Sequence, residues 1–221
     1  MSQSNENNIW TRERVERYVQ STERLINFRY KPFARQVMNS IDKFGIEGIP
    51  KILDICCGPG LLLFEIKKIF PEGKLIGVDS SEQMLEIAKE KAEQNNIDEL
   101  ELMKGLAEDI PLPNDDIEVV VCLNCLHDFK DVQQTIEQVY RVLRSGGIFI
   151  LKDKNGAYPR WKMRLHFIPL ILRIGLKRAR AYLRSESFWL EPHQVYNWMD
   201  QLGFQEISVS NKPDYVIIGK K

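Results

Sequence analysis

Ile52-Leu53-Asp54-Ile55-Cys56-Cys57-Gly58-Pro59-Gly60 passes from an apolar strand into a glycine turn. The strand spans 51–55, and the turn opens into an apolar helix over 61–70. Glycine tolerates positive φ and lets a ligand approach the backbone closely. A strand, glycine turn and helix in that order form a nucleotide-sized site at the carboxyl end of the strand. A second strand, 74–78, ends on Asp79. An acid there is placed to accept hydrogen bonds from both hydroxyls of a ribose.

Two cofactor classes use this layout. Dinucleotide enzymes carry Gly-x-Gly-x-x-Gly, with the third glycine needed for close helix packing. Here Gly58 and Gly60 are followed by Leu61, Leu62 and Leu63, and Pro59 has no N–H to offer a pyrophosphate. Both features argue against NAD. The chain instead resembles the class I S-adenosylmethionine-dependent methyltransferases, of the ubiquinone-menaquinone biosynthesis type. Their first motif, Asp-x-x-Cys-Gly-x-Gly, is matched by Asp54, Cys57, Gly58 and Gly60. The resemblance continues through Gly77-Val78-Asp79-Ser80-Ser81 with Met84, then Gly105-Leu106-Ala107-Glu108-Asp109-Ile110-Pro111. It runs on through Leu126-His127-Asp128 and the Val142–Gly147 turn. It implies S-adenosylmethionine as cofactor and S-adenosylhomocysteine as product.

The remaining elements follow the same alternation. Helical periodicity covers 9–43, with Pro32 opening a second helix. A helix over 81–95 is capped by Ser80 or Ser81, and a short strand follows near 99–104. The strand at 117–123 is almost continuously apolar, as a parallel strand covered on both faces must be. A helix over 131–143 and a strand over 147–152 complete the parallel series. A last helix, 191–202, precedes a hairpin of strands 204–210 and 214–219. The expected fold is α/β, a Rossmann-like seven-stranded, mostly parallel sheet flanked by helices. The resemblance implies the order 3-2-1-4-5-7-6, with the last strand antiparallel. One domain is expected over 1–221. Its parts are a helical cap (1–48), a cofactor-binding core (49–153), a basic helical lid insert (154–190) and a C-terminal helix and hairpin (191–221).

The 221 residues are 43% hydrophobic and 28% charged, ordinary values for a soluble globular chain. A formal net charge of zero gives no global attraction to nucleic acid. The polar residues 1–8 do not read as a signal peptide, and no apolar run is long enough to span a bilayer. The four cysteines then read as reduced thiols in a cytoplasmic protein.

Asp79 is the leading site residue, as a ribose ligand and also as a helix-capping acid. Ser80 stands beside it. Met84 either packs on the adenine or belongs to the core. In the resembled family an acid after the third strand accepts from the adenine amino group. Leu106 occupies that position, leaving the Ala107 N–H and Glu108 or Asp109 as substitutes. Asp54 either braces the loop or reaches the cofactor's amino group. Leu123 and Asn124 end the fourth strand, where a backbone carbonyl faces the methionine ammonium. His127 is the one candidate general base, and a local packing role competes with it. Tyr18 and Tyr30 either cap the site or pack in the core. No metal is expected. Cys56, Cys57, Cys122 and Cys125 nevertheless end two neighbouring strands, which keeps a metalloid or thiol acceptor as an alternative.

Residues 154–185 contain nine Lys or Arg and no Asp or Glu. This insert is a solvated lid, a surface for anionic membrane, or a site for an anionic small molecule. The expected function is methyl transfer to a small apolar or amphipathic acceptor beneath it. A non-catalytic S-adenosylmethionine-binding partner protein is the rival.

Overall fold

The computed structural model describes residues 12–166, 168, 189–210 and 212–221. The seven strands form one sheet in the order β3-β2-β1-β4-β5-β7-β6. They are β1 (Lys51–Ile55), β2 (Lys74–Asp79), β3 (Leu100–Lys104), β4 (Ile117–Leu123), β5 (Leu143–Lys154), β6 (Gln205–Ser210) and β7 (Asp214–Lys220). Strands β1 to β5 pair in parallel. β7 runs antiparallel to both β5 and β6. The expected order and the antiparallel last strand are both found.

The sheet has an apolar layer on each face. Ile52, Val119, Val121, Ile148 and Ile150 meet α2 (Lys31–Lys43) and α3 (Leu61–Ile69). The alternate residues Leu53, Val120, Cys122, Phe149 and Leu151 meet α5 (Val132–Val142) and the helix Pro192–Leu202. Period-two alternation with both sides apolar is why the central strands are nearly unbroken hydrophobic runs. A smaller cluster joins α1 (Arg12–Glu23) to α4 (Glu82–Gln94) through Val15, Val19, Met84 and Ile87.

Local signals set the boundaries. Pro32 stands in the first turn of α2, where a missing N–H costs no hydrogen bond. A π-helical stretch, Ile26–Tyr30, leads into it. Ser81 caps α4 by accepting from the Met84 N–H, so the cap is Ser81 and not Ser80 or Asp79. β5 begins at Leu143, earlier than expected. Leu143 pairs with Ile117, and a register shift before Ile148 takes up the turn in which Gly146 has φ +80°.

The insert differs most from expectation. Lys154 is not a lid residue. It is buried at the end of β5 and ion-paired with Asp214 on β7. One helix of the insert, α6 (Arg160–His166), is described. Most of the remaining basic positions, Arg173 to Arg184, lie outside the described residues. The helix Pro192–Leu202 is α7.

Candidate active site

The first strand runs into a chain reversal with three left-handed residues, Cys56 (φ +58°), Gly58 (φ +54°) and Gly60 (φ +75°). Gly60 is the N-cap of α3, and a Cβ there would stand 2.9 Å from Phe64. At Gly58 a Cβ would meet nothing within 4 Å, so the loop faces open space. Cys56 adopts the same region without glycine's freedom, a strain of the kind that collects at ligand sites.

Asp79 ties this loop to the next. Its Oδ2 accepts from the Gly58 N–H at 2.8 Å and its Oδ1 from the Ser81 N–H at 2.9 Å. A carboxylate has about four lone-pair sites, so these bonds leave acceptor capacity on Asp79. Burial raises the Asp79 pKa, opposed by the N–H groups of Ser81, Gly58 and Ser80. Asp54, at the matching point of β1, is 3% exposed, and no hydrogen bond among the described residues reaches its carboxylate. Burial, and then the nearby Asp79, push its pKa well up. A buried carboxylate beside a second one is costly to ionise.

Other expected cofactor residues are distributed unevenly. Cys57 is buried, with its N–H on the Val78 carbonyl and its sulfur 3.7 Å from the Gly58 oxygen. Met84 packs with Val15, Val19 and Ile87, which makes it part of the α1–α4 core. Ser80 is exposed. Ala107 is buried, while Leu106 is 47% exposed. Glu108 has one oxygen engaged elsewhere. Its Oε1 accepts from the backbone N–H groups of Lys130 and Asp131 ahead of α5. Tyr30 lies in the core and Tyr18 at the surface.

A second group of polar residues gathers where β4, β5 and β7 meet. Asn124 follows Leu123 at the tip of β4 with φ +53°, and its N–H donates to the Lys152 carbonyl. His127 lies on the 3-10 turn Leu126–Asp128, 28% exposed. That turn is pinned by Asp153, whose Oδ2 accepts from the Leu126 N–H at 2.9 Å. Tyr215 faces Asp153 across the β5–β7 pair. Among the described residues, three buried side-chain atoms of this group have no hydrogen-bond partner: Asn124 Oδ1, His127 Nδ1 and Tyr215 Oη. Native proteins leave few such atoms unsatisfied, so each calls for water or a ligand. Burial raises the pKa of Asp153, against the N–H groups of Lys154 and Leu126, and that of Tyr215. Sequence reasoning missed Asp153 and Tyr215. An acid closing an apolar strand was the available signal for the first. Tyr215 gave none, since it reads as one more core residue of β7.

The cysteines also depart from expectation. Cys122 and Cys125 are joined in a disulfide, because the turn after β4 brings residue 125 back over residue 122. Cys56 and Cys57 are the free thiols, and burial raises both pKa values. Among the described residues, no group of three or more His, Cys, Asp or Glu is arranged to hold a metal ion. Among the same residues, no helix is long and apolar enough to cross a membrane.

The model of a methyltransferase domain family matches residues 49–188. A demethylmenaquinone methyltransferase of Symbiobacterium thermophilum is 32% identical over 163 residues, 68% of this chain and 64% of that protein. The match therefore spans less than two thirds of that relative's length. Among solved structures, a Methanococcus maripaludis protein proposed to be an S-adenosyl-L-methionine-dependent methyltransferase superposes with a TM-score of 0.74 at 20% identity. That match covers 100% of this chain and 97% of the other. A Haemonchus contortus phosphoethanolamine N-methyltransferase, solved with S-adenosylhomocysteine, gives 0.60 at 20% identity over 80% of this chain and 38% of its own. The chain belongs to the methyltransferase domain family, and its cofactor is S-adenosylmethionine.

Proposed function

We propose that this methyltransferase moves the methyl group of S-adenosylmethionine to a small apolar or amphipathic acceptor, with a quinol-like ring as the first choice. The carrying observation is the pair of buried carboxylates, Asp54 and Asp79, set around an open glycine loop. Asp79 would accept from the ribose hydroxyls while holding the loop through Gly58. Asp54 and the unpartnered Asn124 Oδ1 would accept from the methionine ammonium. The Ala107 N–H would meet the adenine ring. Ser80, Met84 and Glu108 would contribute at most to the shape of that end.

The cofactor supplies an already activated methyl on a sulfonium, so the protein's work is orientation and exclusion of water. A hydroxyl-bearing acceptor must also lose a proton. His127 is the group for that step. Its Nδ1 is buried and has no hydrogen-bond partner among the described residues, and its Nε2 lies 3.7 Å from the Asp128 carboxylate, which would stabilise the imidazolium. The quinol preference rests on the Symbiobacterium relative's name, demethylmenaquinone methyltransferase. The test supplies methyl-labelled S-adenosylmethionine with a reduced naphthoquinone and follows label into the organic phase. Time-dependent labelled product supports the acceptor class. No label, in a protein that still binds S-adenosylhomocysteine, overturns that class and leaves the cofactor assignment standing.

A further inference from the structure

The insert after β5 has one described helix, α6, and its two faces are opposite in character. Met163 is 1% exposed and packs inward. Trp161, Leu165 and Ile168 are 63%, 56% and 48% exposed. Their spacing of four and three residues sets them in one stripe, about 140° to 160° around the helix from Met163 at about 100° per residue. Lys162 Nζ lies 5.4 Å from the centroid of the Trp161 ring, so a cation borders the stripe. Single exposed apolar residues are ordinary, whereas an aligned trio of large ones marks an interaction surface.

Charge decides the occupant. Residues 155–185 contain eight Lys or Arg and no Asp or Glu. A second copy of this face would bring like charges together, which costs free energy. A bilayer containing anionic lipid meets both demands, taking apolar side chains below the headgroups and basic ones among the phosphates. Tryptophan and lysine are the side chains that suit that boundary, with an apolar body and a polar or charged tip.

We propose that the Trp161–Leu165–Ile168 face docks the protein on an anionic membrane surface. α6 begins six residues after β5 ends, and β5 ends at the same edge of the sheet as Asp54 and Asn124. Docking there would bring the acceptor end of the site to the lipid boundary. That last consequence rests on the proposed function, and the docking itself does not.

Flotation of the full chain with vesicles tests it. Vesicles of phosphatidylcholine alone are compared with vesicles that also contain phosphatidylglycerol, at low and high salt. Binding is expected to the second kind, weakened by salt, and about tenfold or more below that for Trp161→Ala combined with Leu165→Ser and Ile168→Ser. The three positions are exposed, so the variant should keep its melting temperature and its shift with S-adenosylhomocysteine. Failure of the native chain to float at low salt overturns the proposal. So does equal binding by the variant, or a concentration-dependent dimer that the triple substitution abolishes without lipid. Loss of the S-adenosylhomocysteine shift in the native chain would break the methyltransferase reading and leave the docking result intact.

Discussion

The two halves of the sheet treat their polar groups differently. On the β1–β2 side, Asp79 spends both oxygens on backbone N–H groups and so ties the glycine loop to the start of α4. On the β4–β5–β7 side, Asn124, His127 and Tyr215 each leave a buried atom without a partner among the described residues. On the proposed reading, the first side would hold the cofactor through backbone geometry, which short-range sequence dictates. The open capacity of the second side would serve the methionine end of the cofactor through Asn124 and the acceptor through His127. Asp54 stands between the two, buried like the first group and unpartnered like the second.

Substitutions on each side should therefore separate chemistry from cofactor binding. The largest expected effect is at His127. His127→Ala should lower kcat by about a hundredfold or more if it takes the acceptor's proton. S-adenosylhomocysteine affinity should not move. An equal fall in affinity would return His127 to a structural part in the turn. Next comes Asp79→Ala, which should weaken S-adenosylhomocysteine by about tenfold or more, since charge-assisted bonds to two hydroxyls are lost. Because Asp79 also pins Gly58, Asp79→Asn sharpens the comparison. It keeps the size and one acceptor oxygen, so it should lose less. Unchanged affinity by calorimetry in both variants would sink the ribose assignment.

Asp54 gives the smallest effect and a pH signature. Its folded-state pKa is raised, so the folded apo protein favours the neutral carboxyl. Below the ordinary carboxylate value of about 4 no penalty exists, and it grows as pH rises toward the raised value. Asp54→Asn removes that penalty. The apo variant should melt higher than the native chain at neutral pH, and the gap should close as the pH is lowered. Its affinity for S-adenosylhomocysteine should fall severalfold at the same time, because the ammonium loses a charged partner. A variant less stable at neutral pH would mean the carboxylate braces the loop after all.

Legibility in the sequence follows the same division. The strand, Gly58, Gly60 and Asp79 are close along the chain and have one structural solution, so they were readable, as were the strand alternation and the hairpin. Met84 was ambiguous because a thioether suits an adenine face and a core equally, and only the packing of α1 decides for the core. Glu108 binds N–H groups more than 20 residues away, ahead of α5. Asp153 and Tyr215 meet only because β7 enters the sheet beside β5, which no local pattern announces. Lys154 read as part of a basic run until its partner Asp214, also on β7, was in view.

The central claim is that the glycine loop and Asp79 form a working S-adenosylmethionine site. Thermal melting with S-adenosylhomocysteine, with NAD in parallel, tests it most directly, because a ligand of the folded state raises the melting temperature by mass action. A rise with S-adenosylhomocysteine that NAD does not produce, and that Asp79→Ala diminishes, is the predicted result. No rise at about a thousand times a micromolar Kd, where about 4 kcal/mol of stabilisation is due, would contradict it.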